Sequence, residues 1–220
     1  MLFWEQSFFK EVIRKCISDS FLKEVAEKYH YLPQDAPLLK DVSLQMQEVL
    51  RKEACVEHVF LAEEKDVRTG VVMTLGEGID VLQGKYSESG RLTEAYMLEA
   101  LAAEVLLLAY QAYNNWVKAS TRYAVMRYYF PGSEAAYPLG GMAGLLDKMS
   151  LPVRCNEAYC LIPKKSVVFY AHLTEDKGVH YRGVCFGCSR KDCPNRMKDE
   201  RGTRQLLPYG YMRILGKEYL

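Results

Sequence analysis

The stretch from Leu92 to Val117 contains neither Gly nor Pro and is dominated by Ala, Leu and Glu, a composition that fits one long α-helix. Its apolar residues wrap nearly all round the helical circumference, so the helix has to be covered on more than one side. Lipid is not the cover, because Glu94, Glu99, Glu104 and Gln111 interrupt the run and a membrane span needs about 20 predominantly apolar residues. The helix is therefore expected between protein layers. A chain of 220 residues, 49% of them hydrophobic, has the material for those layers without disulfide or metal staples.

Periodicity supplies the neighbours. Residues 3–30 carry Phe8, Phe9, Val12, Ile13, Cys16 and Ile17 at helical spacing, with a break expected near Ser18 to Ser20 and an end at Pro33. A second helix is predicted from about Asp35 to Lys52, with Pro37 in its first turn. Val56 to Ala62 and Thr69 to Leu75 read as a strand pair, and Arg122 to Phe130, Val153 to Ile162 and Ser166 to Leu173 as further strands. Pro131-Gly132 marks a turn, Gly140 to Met149 a short helix, and Pro163-Lys164-Lys165 a corner. TLGEGID, residues 74–80, lacks the remaining Gly and the Lys-Ser/Thr pair of a phosphate loop and reads as a plain turn. Helices and strands fall in separate runs without βαβ alternation, which predicts an α+β fold with an antiparallel, twisted sheet.

Glu104 stands three residues after Leu101 and four before Leu108, on the apolar face of the long helix. Two readings are open: a helix-edge Glu whose head reaches solvent, or a buried carboxylate that binds a cationic ligand or a hydrogen-bonding partner. Tyr128, Tyr129 and Phe130 suit core or cross-strand contacts better than base stacking. The four His are scattered, and no hydrolase triad, HExxH or Walker loop is present. The formal charge of +1 provides no global field for nucleic acid or anionic membrane.

Cysteine usage is uneven. Cys185, Cys188 and Cys193 follow a Cys-x2-Cys-x4-Cys spacing that suits one tetrahedral metal, with Cys160, Cys155 or His180 as fourth ligand. Zinc, an iron-sulfur cluster and a set of reduced thiols are the alternatives. The surrounding segment, 181–204, has 7 Lys/Arg against 3 Asp/Glu and suits docking on an acidic partner, or mere solubility, better than nucleic acid. The N-terminal MLFWEQSFFKEVIRKC mixes charge into its apolar residues, unlike a secretory signal, so a cytoplasmic location with no membrane anchor is expected.

The segment from Asn156 to His172, NEAYCLIPKKSVVFYAH, resembles the hallmark stretch of the activation (S-adenosylmethionine-binding) domain of cobalamin-dependent methionine synthase. That family has a strand bearing Thr-Glu-Ser, then Met, Pro, Ser-Val-Ser-Gly and an aromatic pair ending in His. The spacing from Glu157 to Pro163 agrees. Upstream, the long Ala/Leu helix, the Arg-bearing aromatic strand, the Pro-Gly turn and the short helix with Leu145, Leu146 and Asp147 follow the family's order, and the likeness spans roughly Val67 to Leu173.

The resemblance implies an activation-domain-like α+β core over 67–180, with an N-terminal helical part (1–66) packed on it and a Cys-rich basic tail (181–220). It also implies S-adenosylmethionine as ligand, with Glu104, Arg127, Tyr129, Glu157 and Tyr170 as pocket candidates. The expected role is a stand-alone reactivation module that supports reductive methylation of cob(II)alamin on a partner corrinoid protein or methyltransferase, helped by an electron donor. The alternative is a non-catalytic zinc- or cluster-bearing interaction protein that kept the fold and lost the ligand.

Overall fold

The N-terminal amphipathic stretch divides where Ser18 stands. Its Oγ donates to the Lys15 carbonyl at 2.8 Å and accepts the Phe21 N–H at 3.3 Å, so one side chain ends α1 (Gln6–Lys15) and caps α2 (Asp19–Tyr29). A 3-10 turn over Pro33–Asp35 leads into α3 (Ala36–Glu53). These elements belong to a computed structural model that describes residues 6–63, 66–179 and 184.

The predicted hairpin is β1 (Cys55–Glu63) with β2 (Asp66–Thr74), paired antiparallel. After it the chain departs from the expectation of a plain turn. Gly76, at φ 95°, does make a turn that a side chain would strain, but the turn opens a helix, α4 (Glu77–Glu88). The Glu53 Oε2 accepts the Gly78 N–H at 2.7 Å. The chain's own carboxylate thus takes the place at this helix start that a phosphate loop would offer to a ligand.

The long apolar run is α5 (Leu92–Ser120), 29 residues, which touches α1, α2, α3, α4 and the following strand, β3 (Ala124–Tyr129). It ends where Thr121 Oγ1 donates back to the Val117 carbonyl at 2.7 Å. Lys177 Nζ adds bonds to the Lys118 and Thr121 carbonyls at 2.9 and 2.8 Å, supplying the positive charge a helix C-terminus favours. Then come α6 (Gly141–Leu146), two short arms β4 (Arg154–Cys155) and β5 (Leu161–Ile162), and β6 (Ser166–Thr174).

The architecture is α+β: a four-stranded antiparallel sheet of order β1-β2-β6-β3, with helices. One face of the sheet meets α5 through Val71, Met73, Phe169, Ala171 and Leu173. Tyr110 and Tyr113 of α5 lie against Phe169 with ring centroids 5.1 and 5.7 Å away. The outer face carries a smaller cluster of Val72, Val168, Met142, Leu145, Leu151 and Val153. Glu57, 1% exposed, holds this layer by accepting the Ser150 and Leu151 N–H groups at 2.7 and 3.1 Å. No helix among the described residues is long and apolar enough to cross a membrane.

One strand expectation is corrected. Val153 to Ile162 is not a continuous strand, because the Asn156 side chain accepts the N–H groups of Ala158 and Cys160 at 3.0 and 2.9 Å and folds the middle into a turn. Tyr159 sits in that turn at φ 58°.

Two outcomes follow for stability. Gly70 faces α6, and a Cβ there would stand 2.4 Å from Leu145 Cδ1, so Gly70→Val should destabilise by about 1–3 kcal/mol in urea unfolding, with partial rescue by Leu145→Ala. Cys16 is fully buried, and burial pushes its thiol from 9.0 up to about 12, against weaker lowering by a backbone hydrogen bond and Arg51. Between those values the native state keeps a proton that the unfolded chain releases, so stability falls as pH rises from 9.0 to about 12. Cys16→Ala should flatten that alkaline decline in unfolding curves taken on either side of pH 9.0.

Candidate functional site

Near the start of β3, Val125 points into the core opposite Leu173, and simple alternation would send Arg127 the same way. It does not go there. A bulge between Val125 and Arg127 moves the pairing of Arg127 to His172 and leaves Tyr128, buried, opposite Ala171 on the α5 face. Arg127 and Tyr129 therefore share the outer face with His172 and Tyr170 of β6 and with Arg68 and Gly70 of β2. The cross-strand rows read Arg68–His172–Arg127 and Gly70–Tyr170–Tyr129.

The loop after β3 folds back over these rows. Gly132, at φ 82°, donates its N–H to the Tyr137 carbonyl at 2.7 Å, and Tyr137 is buried on the sheet. Its ring stacks on Tyr129 with centroids 4.7 Å apart and 21° between planes, and lies 4.9 Å from Tyr170. Its hydroxyl is hydrogen-bonded to His172 Nε2. Burial pushes the Tyr170 phenol above its ordinary value, and the nearby Arg68 charge only partly opposes this, so the group stays protonated at neutral pH.

Arg127 is the cation at the edge of this cluster. Its guanidinium lies 4.6 Å from the Tyr129 ring centroid, and Nη2 donates to Glu134 Oε1 at 2.8 Å. Its Nε is buried without a hydrogen-bond partner among the described residues. The cluster holds one guanidinium, paired with Glu134, among tyrosine rings that pack on one another, of which Tyr129 and Tyr170 are partly exposed and able to meet a flat or cationic group.

Of the residues singled out from the sequence, Arg127, Tyr129 and Tyr170 come together here. Glu157 is exposed in the Asn156–Cys160 turn, whose Tyr159 Oη reaches within 3.4 Å of where a Gly140 Cβ would stand. Glu104 is elsewhere: it sits on α5, on the other side of the sheet, accepting from Lys28 Nζ at 2.7 Å and Tyr29 Oη at 3.0 Å. Both acceptor bonds tie α5 to α2. Burial, together with the Glu104 charge and hydrogen bond, raises the Tyr29 phenol well above its ordinary value.

Cys160 is exposed and Cys155 half-buried. Cys185, Cys188 and Cys193, like His180, lie outside the described residues, and no group of three metal-binding side chains occurs among those described.

Sequence reasoning missed Tyr137, Glu134, Arg68 and the site role of His172. A period-2 reading from Tyr170 puts His172 on the same face, whereas Tyr137 and Glu134 sit in a loop whose fold no periodicity announces. Apart from this site, a groove of about 390 Å³ runs between α1 and α3, floored by Phe9, Ile13 and Leu50 and rimmed by Lys10, Arg14 and Arg51.

The position of Glu104 gives a clean test. Glu104→Ala leaves Lys28 and Tyr29 without their acceptor and should lower stability by about 1–2 kcal/mol in chemical denaturation, while ligand affinity at the outer sheet face stays unchanged. A loss of affinity without a loss of stability would return Glu104 to the pocket. No protein-family model matches this chain, and no curated protein matches it.

Proposed function

We propose that the chain is a stand-alone reactivation module that serves a cobalamin- or corrinoid-dependent methyltransferase in the cytoplasm and supports reductive methylation of cob(II)alamin with S-adenosylmethionine. The observation that carries this reading is the buried Arg127 Nε, without a partner among the described residues, beside the stacked rings of Tyr129 and Tyr137. The ligand's parts fit these groups: a carboxylate for the guanidinium, a sulfonium for the tyrosine faces, an ammonium for Glu157. S-adenosylmethionine, when bound, supplies the methyl group, while the electron reaches the partner's cobalt from a separate donor.

The chain's own residues then have defined tasks. Arg127 fixes the ligand's carboxylate end, and the Tyr137 and Tyr129 rings wall one side of the site against water. Protonated Tyr170 presents a hydroxyl that can donate a hydrogen bond toward the ligand. In this reading Cys185, Cys188 and Cys193, with Cys160 as a further ligand, hold either a zinc that braces the tail or an iron-sulfur centre that relays the electron. An absorption spectrum of anaerobically purified full-length protein separates the two, since only the cluster absorbs in the visible.

Calorimetry with S-adenosylmethionine tests the reading. The protein should bind it, and Arg127→Ala combined with Glu157→Gln should weaken binding about tenfold or more. Unchanged affinity in the double variant overturns the placement. Absence of binding to the unaltered protein favours the non-catalytic, metal-bearing interaction protein instead.

A further inference from the structure

Arg127 already holds an anion, and that anion belongs to the chain. Glu134 uses one carboxylate oxygen on one guanidinium nitrogen, 2.8 Å from Nη2, and leaves Nε of the same group buried and unpartnered among the described residues. A guanidinium binds a carboxylate best side-on, with two parallel N–H···O bonds, and a buried donor without an acceptor carries a free-energy penalty. The present pairing is therefore a submaximal use of Arg127.

The backbone that carries Glu134 is fixed independently of the ion pair. Ser133 donates to the Phe130 carbonyl at 2.9 Å, Tyr137 to the Glu134 carbonyl at 2.9 Å, and Gly132 to the Tyr137 carbonyl at 2.7 Å. The Glu134 side chain is 44% exposed, and it can swing into water without the loop opening.

We propose that Glu134 is a built-in competitor for the Arg127 site: a ligand carboxylate binds by displacing it and takes Nη2 and Nε together. Glu134 thereby sets a threshold. A simple anion that gains only a weak bond to Arg127 displaces a tethered carboxylate only at high concentration, whereas a carboxylate attached to a group that also stacks on the tyrosines does so at low concentration. The ligand's identity as S-adenosylmethionine rests on the reading above, but the exchange does not.

The test follows the Arg127 Nε–Hε resonance in full-length protein labelled with 15N-arginine, with the signal assigned by Arg127→Lys and acetate as the probe. In Glu134→Gln and Glu134→Ala the resonance should shift with a midpoint at about fivefold lower acetate than in the unaltered protein, the gain expected from removing a half-exposed ion pair. Equal midpoints in all three proteins, or no shift in any, overturn the proposal. S-adenosylmethionine calorimetry on the same variants should show a gain of similar size. If acetate discriminates the variants and S-adenosylmethionine binds none, the exchange stands and the choice of ligand falls. If S-adenosylmethionine binds while acetate midpoints coincide, the ligand stands and the exchange falls.

Discussion

The described fold is arranged around the need to cover α5 over most of its circumference, with a stripe through Tyr96, Glu99, Gln111 and Asn115 left exposed. A helix with one apolar stripe is satisfied by one neighbour, but α5 buries residues from Ala95 to Val117 around its circumference, including Met97, Leu98, Leu101, Ala102, Val105 and Ala109. The sheet covers one side through Phe169 and its neighbours, and α1 to α4 cover most of the remainder. Hydrophobic burial on that scale is non-directional, so finer contacts decide the register. Thr69 and Tyr113 meet at 2.9 Å in the buried layer, and Glu104 joins α2 at the periphery.

That division of labour leaves the sheet's other face available for chemistry. It carries few large aliphatic residues near β3, and α6 approaches closely because Gly70 has no side chain. Where a second full layer would sit, the chain places Tyr129, Tyr137, Tyr170 and His172 with two arginines in the neighbouring rows. The core and the candidate site share strands β3 and β6 but not side chains, so substitutions on one face report little on the other.

How far the sequence foretold this depends on what kind of signal each element carries. The helix over 92–117 was legible because propensity and length agree. The strands of the sheet were legible because β-branched and aromatic residues cluster between turn residues. Helix α4 was not, since it buries only Ile79 and Tyr86 and offers no strong stripe. Asn156 broke an expected strand through a side-chain bond to backbone that no apolar pattern encodes. Arg127, Tyr129 and Tyr170 were named from a family resemblance, and their convergence on one face came from pairing register. Glu104 is half-buried and its partners are Lys28 and Tyr29 of α2, whose docking a linear reading cannot supply. Tyr137 and Glu134 depend on a loop folding back, which is tertiary information.

The bulge at Met126 has a consequence for how the chain tolerates change. It works as a parity switch: before it, odd-numbered residues of β3 face α5, and after it even-numbered ones do. Deleting Met126 would remove only the unpaired residue, so Val125 would still meet Leu173 and Arg127 would still meet His172. Straightening the bulge with every residue kept would instead pair Met126 with His172, drive Arg127 and Tyr129 against the aromatic core and turn Tyr128 out to water. Met126 itself is 40% exposed, so its importance lies in staying out of the ladder. Substitution and even removal at this position should keep the two faces as they are, whereas drawing it into the pairing would exchange them, a contrast that side-chain chemistry alone would never reveal.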